Sequence, residues 1–323
     1  MSPSSFARFL YPSWLFAFWR GLVGLAQDYW KDGNEKDPDS KNIDSMNIKG
    51  AQTAASPPLP QRNIQAAPVH NLGLWHAQPG EISEKMWGDG RVTPGDDAIT
   101  DMLINPLGVT RDMNLLDLSA GLGARLHRAI KEFGVYIDGF EPDTAIAARS
   151  MQRSKALGHA KHAVIQPYDP MDFHHKRTYD CVVMRETIYR VPDKKKFITS
   201  VVDCCKPAAQ VSFTDYIVEP QDRDHPAVRD WCAFEKGSEP LGLEEMAALW
   251  KEAGISLRIR DDQTRFYKAE LKRGLVRLAS FLASGVKPDP ETWLSITKRV
   301  ETIARRAAAM EVGLKFYRFY GLR

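Results

Sequence analysis

The amino-acid sequence predicts an α/β fold: a doubly wound, mostly parallel sheet with an antiparallel last strand and a helical insertion. Three observations predict it. Buried-strand patterns alternate with helical patterns between residues 114 and 216, which implies parallel strands joined by right-handed crossovers. The first strand pattern leads directly into a glycine turn and a helix. Polar side chains follow several strands, at the positions where parallel sheets bind their ligands.

The glycine turn lies in the stretch NLLDLSAGLG, residues 114–123, and a helix is predicted to follow it over Ala124–Phe133. Gly121 and Gly123 lack Cβ atoms, so the backbone can bend tightly and approach a ligand closely. The spacing Asp-x-Ser-x-Gly-x-Gly differs from the Gly-x-Gly-x-x-Gly of dinucleotide sites, and no Gly-Lys-Ser/Thr follows as in a P-loop. The pattern therefore favours a nucleoside-binding unit of another type.

Acidic side chains follow the next two predicted strands. Glu141 ends the second strand, where a carboxylate can accept hydrogen bonds from both ribose hydroxyls. Asp169 and Asp172 follow the third strand, Ala163–Gln166, and either could accept the exocyclic amine of an adenine. Asp169 is the better placed of the two, and an ordinary Asp-Pro turn is the alternative interpretation.

The fourth and fifth strands add further polar residues at the same edge. The fourth strand, Tyr179–Met184, ends in the stretch RETIYR, and a helix over Lys194–Cys205 and a turn at Lys206-Pro207 lead to a fifth strand, Gln210–Tyr216. Because the carboxyl ends of parallel strands meet at one edge, five residues should converge there: Gly121, Glu141, Asp169, Glu186 and Asp215.

The remainder of the folded part is predicted to complete the sheet and to cover its edge. The predicted elements are a helix over Leu243–Ala253, a strand over Ile255–Arg260, two long helices over Thr264–Ser284 and Glu291–Val312, and an aromatic last strand over Leu314–Tyr320. The two long helices form an insertion that could stand over the strand ends and shape a substrate pocket.

The N-terminal region differs in character from the rest. Residues 6–30 are apolar and aromatic, but Arg20 interrupts a run that would need about 20 residues to span a bilayer. A membrane-anchoring interfacial helix is the preferred interpretation; docking on this or another protein and a cleaved secretory signal are the alternatives. We expect residues 1–30 to be a helix, residues 31–73 a disordered linker and residues 74–323 the folded domain, with 81–100 as a cap and 264–312 as the helical insertion.

Composition sets further bounds. The formal net charge of +3 carries no overall nucleic-acid signature, yet residues 255–323 contain 15 Lys/Arg against 7 Asp/Glu. Such asymmetry favours either an anionic partner, such as a membrane surface, or simply a solvated helical surface. The four cysteines form no CxxC pair, which predicts reduced thiols in a cytoplasmic protein and no metal site.

In these motifs the sequence resembles the class I S-adenosylmethionine-dependent methyltransferases, which have a Rossmann-like fold. It is most similar to the phosphoethanolamine N-methyltransferases, through WGDGRVTPG at 87–95, SAGLG at 119–123 and SFTDY at 212–216. The resemblance implies S-adenosylmethionine as cofactor. Its predicted binding residues are Asp117, Ser119, Gly121 and Gly123 around the methionine part, Glu141 at the ribose, Asp169 at the adenine amine, and Arg185.

The catalytic residues are less well defined by the resemblance. Members of that family carry a histidine after the fourth strand that works with an N-terminal tyrosine; here that position corresponds to Arg190. A protonated amine or a hydroxyl acceptor needs a base, and Arg185 and Arg190 could bind an acidic group of the substrate. The candidate catalytic residues are Glu186, Tyr189, Arg190, Asp215 and Tyr216.

The predicted function is methyl transfer to a small polar or lipid-linked acceptor, at a membrane surface if residues 6–30 bind one. Methylene transfer to a lipid alkene, as in cyclopropane fatty acid synthases, is the first alternative. A cofactor-binding scaffold without catalysis is the second. Nucleic acid is not expected as a partner, because no Asn/Asp-Pro-Pro-Tyr/Phe signature follows the fourth strand.

Overall fold

A computed structural model describes residues 75–76, 78–284 and 287–323. The predicted N-terminal helix (1–30) and linker (31–73) lie outside the described residues. Within the described part of the chain, no helix combines the length and the apolar character that crossing a bilayer requires.

The described residues form one seven-stranded sheet of strand order β3-β2-β1-β4-β5-β7-β6. Strands β1 to β5 pair in parallel, and β7 lies antiparallel between β5 and β6. The strands are β1 (Asn114–Asp117), β2 (Tyr136–Glu141), β3 (Ala163–Pro167), β4 (Tyr179–Arg185), β5 (Cys205–Ile217), β6 (Ser256–Asp262) and β7 (Lys315–Leu322). This confirms the predicted fold class. The strand order reverses between β1 and β4, the position at which ligands bind in such sheets.

Nine α-helices accompany the sheet within the described residues. They are α1 (Glu81–Trp87), α2 (Asp97–Ile104), α3 (Ala124–Phe133), α4 (Thr144–Ala156), α5 (Lys194–Asp203), α6 (Pro226–Phe234), α7 (Leu243–Glu252), α8 (Thr264–Ala283) and α9 (Pro290–Met310). Helix α3 has the predicted bounds, because Gly123 precedes it in a left-handed conformation and Gly134 ends it in another. Helices α1 and α6 were not predicted.

The turn predicted at Lys206-Pro207 is wrong, because these residues lie inside β5. Tyr179 pairs with Cys205 and Cys181 pairs with Gln210, so β5 carries extra residues opposite β4. The backbone of Ala208 turns left-handed there, with φ at 63°. Such a bulge accommodates a proline that a regular ladder would exclude.

The helical insertion has its own apolar core, which joins it to α1 and to the ends of β4 and β5. This core contains Trp231 of α6, Tyr267 and Leu271 of α8, and Val300 of α9. It also takes in Trp87 at the end of α1. The insertion therefore packs over the strand ends, as predicted.

Gly274 permits the close approach of α8 to α1. A Cβ atom at this position would lie 1.7 Å from the Trp87 ring. We expect Gly274→Ala to lower the free energy of unfolding by about 1–3 kcal/mol through overpacking, although Gly→Ala in an open helix normally stabilises a protein. Urea unfolding measures the effect. Adding Trp87→Leu to Gly274→Ala should restore part of the lost free energy of unfolding. The control Ser280→Ala, at an exposed position on α8, should be nearly neutral. An increase in the free energy of unfolding in Gly274→Ala would contradict this packing.

Candidate active site

The glycine turn after β1 lies directly under the segment that follows α1. Gly121 and Gly123 have φ angles of 55° and 91°, a region that strongly favours glycine. A Cβ atom at Gly121 would lie 2.8 Å from Val92 Cγ2, and the amide of Ala124 donates to the carbonyl of Gly90 at 3.2 Å. The segment predicted as a cap thus covers the turn.

Glu141 holds a buried carboxylate beside this turn. Its Oε2 accepts from the Gly121 amide at 2.9 Å, and its Oε1 accepts from the Asp143 amide at 3.1 Å. Burial raises the pKa of Glu141, against the effect of the two amides. Each carboxylate oxygen keeps a second lone pair, so the group can still accept hydrogen bonds from a diol.

Asp117 forms a buried ion pair with Arg125 of α3. Arg125 Nε lies 2.9 Å from Oδ2 and its Nη2 lies 2.8 Å from Oδ1 of Asp117. The Ser119 amide also donates to Asp117, and Ser119 Oγ accepts from the Arg185 amide at 2.8 Å. Ser119 therefore ties β1 to β4 at the switch point. Arg125 was missed by sequence reasoning; its signal is a basic residue in the first turn of the helix after the glycine turn.

The end of β3 contributes Asp169 and its neighbour Tyr168. Asp169 is exposed, and its Oδ1 accepts from the Met171 amide at 2.9 Å. The alternative, Asp172, is largely exposed and lies 3.5 Å from His174. Tyr168, which was not predicted, donates its hydroxyl to the Leu118 carbonyl at 2.8 Å. This hydrogen bond connects the end of β3 to the turn after β1.

These residues fit an S-adenosylmethionine molecule at the switch point. Gly121 has no side chain of its own, although Val92 packs against it, and Glu141 presents a carboxylate suited to a ribose. Arg185 Nε is buried and has no hydrogen-bond partner among the described residues. It could therefore donate a hydrogen bond to a carboxylate, such as that of the methionine part of the cofactor. Of the predicted cofactor residues, Asp117, Ser119, Gly121, Gly123, Glu141 and Arg185 converge there, while Asp169 lies at the adjacent strand end.

Glu186 is the centre of a buried polar cluster at the end of β4. Its backbone is left-handed, with φ at 51°, a strained conformation that often marks functional sites. Its Oε2 accepts from the hydroxyls of Tyr216 at 2.8 Å and Tyr267 at 3.0 Å. Its Oε1 lies 3.2 Å from Arg185 Nη2. Burial raises the pKa of both tyrosines, so both hydroxyls stay protonated and donate to Glu186.

Tyr189 and Arg190 belong to a second cluster, centred on Glu235 at the end of α6. The Glu235 carboxylate accepts from the Tyr189 hydroxyl at 3.1 Å and from Arg190 Nη2 at 2.7 Å. Arg306 of α9 donates to it at 2.6 Å. Burial alone would raise the pKa of Glu235, but Arg306 and Arg190 together lower it to about 2. Neither Glu235 nor Arg306 was a predicted site residue.

Asp215 supports the turn between these clusters. Its Oδ2 accepts from the Ile188 amide at 2.7 Å, and its Oδ1 from the Tyr216 amide at 2.8 Å. Burial raises the pKa of Asp215 to about 7 in spite of these amides. The side chain is thus occupied in holding the backbone after β4, which assigns it a positioning role.

The low pKa of Glu235 predicts an acid-dependent stability. Folding lowers the pKa of Glu235 from 4.5 to about 2. The ionised carboxylate should therefore add roughly 3 kcal/mol to the free energy of unfolding above pH 4.5, and this contribution should be lost as the pH falls through 2. Urea unfolding should show that the wild type has a higher free energy of unfolding than Glu235→Gln, and that this difference shrinks between about pH 5 and pH 2. The control Glu244→Gln, at an exposed position, should have nearly the same free energy of unfolding as the wild type. A difference between the wild type and Glu235→Gln that does not change at low pH would contradict the low pKa of Glu235.

Comparison with known proteins agrees with this geometry. Among curated proteins, phosphoethanolamine N-methyltransferase 1 of Zea mays is 22% identical over 197 residues, which cover 59% of this chain and 38% of that protein. Phosphoethanolamine N-methyltransferase 3 of Arabidopsis thaliana is 21% identical over 194 residues, covering 59% and 39%. The chain spans about two fifths of the length of these relatives.

Solved structures show the same fold. Phosphoethanolamine N-methyltransferase 2 of Haemonchus contortus, in complex with phosphomonomethylethanolamine and S-adenosylhomocysteine, superposes with a TM-score of 0.65 at 18% identity, covering 75% of this chain and 56% of that one. The cyclopropane synthase MmaA2 from Mycobacterium tuberculosis gives 0.59 at 15% identity, covering 73% and 87%. Residues 97–258, half of the chain, match the family model of the methyltransferase domain. The chain therefore belongs to the methyltransferase domain family, which confirms the predicted membership of the class I S-adenosylmethionine-dependent methyltransferases.

Proposed function

We propose that this chain transfers the methyl group of S-adenosylmethionine to a small polar or lipid-linked acceptor whose nucleophilic atom lies beside Glu186. The observation that carries this proposal is the buried Glu186 carboxylate at the end of β4, held by two tyrosine hydroxyls. It is linked through Arg185 to Ser119 at the switch point. A carboxylate that can take a proton thus lies next to the residues that fit the cofactor.

The bound cofactor supplies a methyl group on a sulfonium, which is already a strong electrophile. The chain must therefore align the acceptor and remove a proton from it. Glu186 can accept that proton from an amine or a hydroxyl, while Tyr216 and Tyr267 fix the orientation of its carboxylate. Arg306 Nη1 lies 3.6 Å from Glu186 Oε2, so the carboxylate also has a cationic neighbour.

The polarity of this cluster favours a polar acceptor over a lipid alkene. An amine or a hydroxyl can donate a hydrogen bond to the Glu186 carboxylate, whereas an alkene cannot. The only support for methylene transfer is that the chain shares its fold with a cyclopropane synthase. The related proteins named for phosphoethanolamine support a small amine, although Arg190 replaces the histidine of that family. Recruitment to a membrane through residues 6–30 stays a prediction.

Glu141→Ala should weaken the binding of S-adenosylhomocysteine by roughly 2–5 kcal/mol, because two charge-assisted hydrogen bonds to the ribose are lost. Isothermal titration calorimetry of the wild type and the variant measures this loss. Glu252→Ala, on the exposed end of α7, serves as the matched control and should bind like the wild type. A folded wild type that neither binds S-adenosylhomocysteine nor gains thermal stability from it would refute the proposed cofactor use.

Glu186→Gln should reduce turnover by about 10²–10⁴-fold, the usual range for loss of a general base, with little change in S-adenosylhomocysteine affinity. Turnover is followed as S-adenosylhomocysteine release with a panel of small amines, phosphate esters and lipids, and the product is identified by NMR. Glu252→Gln should retain full activity. Loss of an alkene signal in the product would favour methylene transfer, and cofactor binding without turnover on any acceptor would favour the scaffold.

A further inference from the structure

A basic cavity of about 580 Å³ lies between α1, α9 and the segments that follow β4 and α6. Ser83 of α1 and Lys298 and Arg299 of α9 line it, together with Arg190 after β4 and Lys236 after α6. Its wall carries four cationic side chains and two carboxylates, Glu81 and Glu235. The Arg190 side chain is 54% exposed, so its charge is accessible to a ligand.

The two carboxylates of the wall already have hydrogen-bond or ion-pair partners. Glu81 accepts from the amides of His76 at 3.0 Å and Gln78 at 3.3 Å, and it lies 3.8 Å from Lys85. Glu235 is held by Arg306 and Arg190, as described above. Three cations of the cavity therefore have no carboxylate within ion-pair distance among the described residues: Lys236, Lys298 and Arg299.

Arg299 lies close to two other cations, Arg306 and Arg190. Its Nη2 donates to Ser83 Oγ at 2.9 Å, which is a neutral partner. Burial, together with the nearby charges of Arg306 and Arg190, lowers the pKa of Arg299. A bound anion would relieve this repulsion. A guanidinium that keeps further donors is also the group that binds phosphate bidentately, while lysines contribute point charges.

We propose that this cavity is a binding site for a phosphate-type anion, carried either by a soluble phosphate ester or by a lipid headgroup. The cavity is larger than one phosphate group requires, so part of the ligand body can enter with it. Glu235 forms part of its wall, and the Arg306 guanidinium contacts both Glu235 and Glu186. Identifying the anion as part of the methyl acceptor rests on the proposed function, whereas the existence of the site does not.

The test uses the full chain with inorganic phosphate as the probe, titrated by calorimetry at constant ionic strength. We expect Arg299→Gln to weaken phosphate binding about 10- to 100-fold, the loss of one or two charge-assisted hydrogen bonds. Lys298→Gln, at an exposed position that does not threaten folding, should weaken it about 3- to 10-fold. Arg258→Gln, an exposed residue on β6, removes the same charge outside the cavity and should leave binding unchanged.

The result that overturns the site is equal weakening in Arg299→Gln, Lys298→Gln and Arg258→Gln, or no phosphate binding by a folded wild type. S-adenosylhomocysteine affinity is measured on the same samples. If it is normal while phosphate fails to bind, the anion site is wrong and the proposed function stands; the reverse pattern rejects the cofactor and leaves the anion site supported.

Vesicles of phosphatidylcholine with phosphatidic acid distinguish the two sources of the anion. Vesicle binding that Arg299→Gln weakens and inorganic phosphate competes away supports a lipid headgroup. Vesicle binding that persists in Arg299→Gln but disappears when residues 1–30 are removed rejects the headgroup and assigns membrane binding to the N-terminal segment. Phosphate binding without vesicle binding supports a soluble phosphate ester.

Discussion

The cost of burying charge governs the architecture of this site. Four carboxylates lie at or near the carboxyl ends of the parallel strands, at one edge of the sheet, and all are largely removed from water: Asp117, Glu141, Glu186 and Asp215. An unpaired ionised carboxylate there would cost several kcal/mol. Each one is instead compensated, and the kind of compensation decides what each can do. Arg125 neutralises Asp117, backbone amides hold Glu141 and Asp215, and tyrosine hydroxyls hold Glu186.

The helical insertion supplies the compensation on the acceptor side. Tyr267 comes from α8 and Arg306 from α9, and they meet between Glu186 and Glu235. The insertion is itself held against α1 by the packing of Trp87 under Gly274. Disturbing that apolar contact would therefore displace Tyr267 and Arg306, which contact Glu186. The positions of the acceptor-side residues therefore depend on the packing of the cap and the insertion, whereas the cofactor side depends on the sheet and its glycine turn.

Sequence reasoning succeeded where the geometry of the backbone determines the outcome. Residues that end parallel strands must meet at one edge, so the convergence of Gly121, Glu141, Glu186 and Asp215 followed from strand order alone. Their partners could not be found in this way. Glu186 meets Tyr267 across 81 positions and Glu235 meets Arg306 across 71, and no local period encodes such contacts. The bulge at Ala208 was misread for a related reason: a Lys-Pro pair signals a break in the ladder but not whether the strand resumes.

The basic excess of the C-terminal region illustrates the same distinction between composition and placement. From the sequence, a solvated surface and an anionic partner were equally good explanations for it. In the structure, some of these basic residues form ion pairs and others line a cavity. Arg260 pairs with Glu244, Lys268 with Glu311 and Arg318 with Asp261, so several of these basic residues form surface ion pairs of small individual value. Lys298 and Arg299 instead face a cavity together, beside an arginine that already holds Glu235. The charges of Arg306 and Arg190 act against that of Arg299 in the free chain, and a bound anion would offset this repulsion.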